Sequence, residues 1–79
     1  MDLKEAVAVA KRQVSDLFAD PPQAMRLEEY LYDDHLGVWS LTIGFALPGS
    51  LHEAANSSRS YKIVRVSQAD KSILSVRDR

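Results

Sequence analysis

The chain has 79 residues, enough for one domain and one modest core. It has no cysteine, which excludes disulfides, thiolate metal sites and a cysteine nucleophile. The formal charge of −1 argues against bulk attraction to nucleic acid or to an anionic membrane. That near-neutrality hides an asymmetry. Residues 1–40 carry eight acidic and four basic side chains, whereas residues 41–79 carry three acidic and six basic.

In chain order, Asp2-Leu-Lys-Glu5 has the form of a capping box, with a short acceptor at the N-cap and a glutamate three residues later. Leu3, Val7, Ala10, Val14, Leu17 and Phe18 then recur at helical spacing, which predicts one amphipathic helix over roughly residues 3–18. Pro21-Pro22 cannot continue it. The segment "AMRLEEYLYDD" is rich in strand formers, but Leu27 is out of phase with Tyr30 and Tyr32 unless Glu28-Glu29 contains a bulge. "VWSLTIGFAL" alternates cleanly. Trp39, Leu41, Ile43, Phe45 and Leu47 line one face; Val38, Ser40, Thr42, Gly44 and Ala46 line the other. After the loop "PGSLHEAANSSR", with a short helical turn expected around residues 51–55, "SYKIVRV" and "ILSVRD" read as two more strands separated by "SQADKS". The expected fold is α+β: one domain over residues 1–79, with an N-terminal helix packed on a four-stranded antiparallel meander (αββββ).

The polar residues yield little chemistry. Asp33-Asp34-His35 could begin a metal or acid–base site, but with Leu36-Gly37 it falls where two strands must reverse, and short polar residues and glycine concentrate in such turns. The other histidine, His52, belongs to a loop expected roughly 30 Å away, at the far end of the second strand. His52-Glu53 begins like a zincin motif, but Asn56 stands where the second histidine is required. Ser57, Ser58 and Ser60 lack a glycine-flanked elbow. Asn56-Ser57-Ser58 matches a glycosylation sequon that only secretion would use. No glycine-rich loop is available to cradle phosphate, and Glu28 and Glu29, as neighbours on a strand, are expected to point to opposite faces. These readings predict a protein that is not an enzyme and that has no cofactor and no metal.

The second sheet face is more informative. Ser40, Thr42 and Gly44 are small, and strand three carries Tyr61 and Ile63 in one phase and Val64 and Val66 in the other. Whichever pair meets the helix, the other is left outside, unless a bulge moves both inward. The candidate interaction face is therefore Ser40, Thr42 and Gly44, with Lys62 or Ile63 according to register, although single Val and Ile residues on a surface are also ordinary. Arg59, Lys62, Arg65, Lys71, Arg77 and Arg79 gather in the last two strands, either as a patch for an acidic partner or RNA or as a solvated face balanced by the acidic first half. Nucleic acid is disfavoured because only Tyr61 could stack among them.

The tail "YKIVRVSQADKSILSVRDR" is similar to the closing hairpin of PepSY-type domains, and the order of elements resembles a group of small uncharacterised bacterial α+β proteins. The usual PepSY turn glycine is absent near Asp70-Lys71. The resemblance implies a helix-plus-sheet fold and no particular functional residue. PepSY domains are generally exported, whereas this N-terminus is charged and lacks the apolar stretch of a signal peptide. The expected location is the cytoplasm, away from membranes. The expected role is binding another protein, or a second copy as a homodimer, through the outer sheet face or an edge strand. Alternatives are a small-molecule or peptide site near residues 48–58 and an immunity or antitoxin role.

Overall fold

The computed structural model describes residues 1–47 and 59–79. Helix α1 spans Leu3–Asp16, followed by strands β1 (Gln23–Asp33), β2 (Val38–Ala46), β3 (Arg59–Ser67) and β4 (Ile73–Asp78). The strands form one antiparallel sheet in the order β1-β2-β3-β4, with α1 packed on one side. The fold is the expected α+β meander.

Local chemistry sets the helix ends. The Glu5 amide donates to Asp2 Oδ1 at 2.9 Å and the Asp2 amide donates to Glu5 Oε1 at 3.3 Å, completing the capping box. The helix stops two residues earlier than its apolar spacing predicts. The Leu17 amide turns back to the Val14 carbonyl at 3.1 Å, a tightened last turn that closes the helix before Pro21-Pro22. Phe18 nevertheless packs on the core, its ring 5.6 Å from that of Phe45.

Ala6, Ala10 and Val14 are fully buried against Leu41, Ile43, Phe45, Val64 and Val66. The alanines let the helix approach the sheet closely, and the larger side chains of β2 and β3 fill the layer between. Val64 and Val66 therefore take the inner face, and Tyr61 and Ile63 face outward. Lys62 pairs across the sheet with Ile43, placing it on the helix side, where it forms an ion pair with Asp78.

Register shifts in β1 fall between Gln23 and Arg26 and between Leu27 and Glu29. The second leaves Glu28 as the extra residue and brings Leu27, Tyr30 and Tyr32 opposite Ile43, Leu41 and Trp39. This resolves the broken alternation of the sequence: all three share the helix-side face. The Tyr30 and Tyr32 rings lie 6.4 and 4.7 Å from Trp39, whose indole N–H donates to Gln68 Oε1 at 2.7 Å. In β4 the pairing skips Leu74.

Candidate interaction surface

The strand register arranges the face opposite α1 as cross-strand rows. One row runs Glu29, Thr42, Ile63, Arg77 from β1 to β4; the next runs Leu31, Ser40, Arg65, Ser75. A third contains Arg26, Gly44 and Tyr61, and the Arg79 guanidinium lies 4.7 Å from the centre of the Tyr61 ring. The small β2 residues form a trough between longer side chains on the flanking strands. It is a depression of about 470 Å³ lined by Glu29, Leu31, Ser40, Thr42, Ile63, Arg65 and Arg77, together with Tyr30. Ser40, Thr42, Gly44 and Ile63 thus share one face, and Lys62 does not.

Thr42 is only 3% exposed although it lies on the face away from the helix, at the floor of the depression between Glu29 and Ile63. At the next row, a Cβ added to Gly44 would come within 2.5 Å of Glu28 Oε2, so glycine makes room for a charged bridge. Arg26 Nε donates to that carboxylate at 2.7 Å, and the Arg59 guanidinium lies 3.6 Å from it while donating to the Ala24 carbonyl at 3.0 Å. The hydrogen bond from Arg26, followed by the nearby charges, holds the Glu28 carboxyl below its ordinary value. The expectation that Glu28 and Glu29 diverge is corrected here. The bulge puts both on the outer face, but Glu28 is neutralised by arginine, so the two do not form a shared-proton carboxylate pair.

By contrast, Glu29, Arg65 and Arg77 form no ion pair among the described residues. In the sequence Arg65 and Arg77 belong to a general basic cluster, with nothing to place them beside Ser40 and Thr42. Only the register of three strand pairs brings them there.

No family model, curated protein or solved structure matches this chain.

The remaining candidates separate cleanly. Asp33 Oδ1 accepts from the His35 and Leu36 amides at 3.0 and 3.1 Å, and Gly37 takes φ +67° as the chain reverses. That carboxylate is committed to the turn. Among the described residues, no group of three or more His, Asp or Glu side chains is placed to hold a metal ion. No helix among them is long and apolar enough to cross a membrane. Ser60 lies opposite Phe45 on the helix side. The expected helical turn at 51–55, His52, Glu53, Asn56, Ser57, Ser58 and the alternative ligand site near 48–58 fall outside the described residues.

Proposed function

We propose that this protein acts by binding another polypeptide through its outer sheet face, without catalysis of its own. The observation that carries the reading is a set of charges (Glu29, Arg65 and Arg77) that form no ion pair among the described residues, around a trough floored by Ser40 and Thr42. Charges on a folded surface are usually solvated and unremarked, but here they rim an apolar and hydroxyl-bearing depression, which is the arrangement of a polar rim around a drier centre. A small molecule lying on one open face would leave much of its own surface wet, whereas small-ligand sites usually bury about 70–90% of theirs. A protein surface covers the whole face.

The edges are less suited to the task. Both edge strands are interrupted, β1 at Glu28 and β4 at Leu74, and bulges are a standard means of discouraging strand addition. We include kinship with PepSY-type domains in the proposal, supported by the β3–β4 hairpin and its short polar turn. Cytoplasmic location remains part of the same reading.

Photo-cross-linking in cells tests it. A benzophenone side chain at Ser40 should give polypeptide adducts of defined mass, and one at Lys4, exposed on α1, should not. Equal adducts from both positions, or none from Ser40, would overturn the outer-face reading.

A further inference from the structure

Resting on the outer-face reading, we infer that the partner is a second copy of this chain, packed face to face about a two-fold axis parallel to the strands. The central row reads Glu29, Thr42, Ile63, Arg77 from β1 to β4. Three strand spacings of ~4.8 Å separate its ends, so Glu29 and Arg77 lie about 14 Å apart along the sheet and cannot neutralise one another within a chain. Rotating a copy about an axis that runs along the strands, above the midpoint between β2 and β3, reverses the row. Each Glu29 then lies over the other copy's Arg77, and each Thr42 over the other's Ile63.

The neighbouring row obeys the same operation. Leu31, Ser40, Arg65, Ser75 meets its own reverse, so Arg65 lies over Ser40, where the small side chain leaves room for the guanidinium and a hydroxyl can accept from it. An axis in the sheet plane but perpendicular to the strands would instead set Glu29 over Glu29 and arginine over arginine. On the central row charge selects the first arrangement; in the third row Arg26, which lies over the other copy's Arg79, already carries Glu28 as its counter-ion. Two sheets packed face to face keep their strands within about 30° of each other, which this axis satisfies. A two-fold contact uses the same patch twice, so each complementary pair is present in duplicate.

The charge asymmetry between the two halves of the sequence thereby acquires a structural meaning on this face. On these two rows the acidic side chain, Glu29, comes from edge strand β1, and the basic ones come from interior strand β3 (Arg65) and the opposite edge strand β4 (Arg77).

The test is a charge swap followed by sedimentation equilibrium. Wild-type protein should dimerise, and Glu29→Arg alone or Arg65→Glu/Arg77→Glu together should each weaken self-association by about a hundredfold or more, because both copies of the contact between positions 29 and 77 become repulsive. A one-to-one mixture of the two variants should recover a heterodimer, since one is basic and the other acidic at all three positions. Circular dichroism checks that both variants keep the wild-type fold; a variant that loses it is replaced by the milder Glu29→Gln or Arg77→Gln, which should weaken dimerisation to a smaller degree. A wild-type monomer at several hundred micromolar, or mixed variants that stay apart, would overturn the second-copy assignment. If Ser40 still cross-links to a different protein in that event, the outer-face reading stands and only the identity of the partner falls.

Discussion

Thr42 and Glu28 show how single side chains on one face take different work. Thr42 is 3% exposed, and its hydroxyl is not part of the helix-side core. Thr42→Val keeps the shape and removes a polar atom, so folding stability should change by less than about 1 kcal/mol in urea titrations; a loss beyond about 2 kcal/mol would reveal a structural bond at that hydroxyl. Glu28 answers to pH instead. Arg26 holds its carboxyl below the usual 4.5, Lys71 followed by the Asp2 amide does the same for Glu5, and Ser72 holds Asp70 below 3.8. A lowered folded-state value means that the unfolded chain takes up protons first on acidification. The stabilisation is therefore complete above the unfolded values and is lost as pH falls through the folded ones. Urea midpoints should hold from neutrality to about pH 5 and fall toward pH 3, with a shallower fall in Glu28→Gln. A midpoint that rises on acidification would contradict these pairings.

Among the elements, α1 and β2 were the most legible in the sequence. A capping box is a four-residue interaction, and the two faces of β2 follow from strict alternation, so both are written locally. The phase of β1 was not, because the Glu28 bulge is defined only by the partner strand. The inward pair of β3 was equally hidden: Val64 and Val66 differ little in character from Tyr61 and Ile63, and the choice belongs to the helix above them. The candidate site was legible in its small residues and illegible in its charges, since the meeting of Glu29, Arg65 and Arg77 around one trough needs the register of all four strands. The β3–β4 turn offers a further check. Lys71 takes φ +63°, a left-handed conformation that glycine adopts at lower cost, and it also donates to Glu5 at 3.2 Å. In a Glu5→Gln background, where that ion pair is already gone, Lys71→Gly should add about 1 kcal/mol of stability. A loss would mean that the turn relies on the lysine for more than its ion pair.

At the scale of the molecule, one helix can dry only one side of a four-stranded sheet. The apolar residues of β2 and β3 that meet α1 make the core, and the opposite side keeps Leu31 and Ile63 beside Glu29, Arg65 and Arg77, which form no ion pair among the described residues. A domain of this size has little core to spare, so covering that second face with a copy of itself would add stability as well as supply a binding mode. Stability should then rise with protein concentration. The most direct measurement is a dilution series of amide NMR spectra from about 1 mM to 20 µM, a range that spans weak to moderate self-association. The account predicts shifts concentrated at residues 29–31, 40–44, 61–65 and 75–77, with α1 unmoved. Spectra independent of concentration, or shifts confined to the helix, would contradict it.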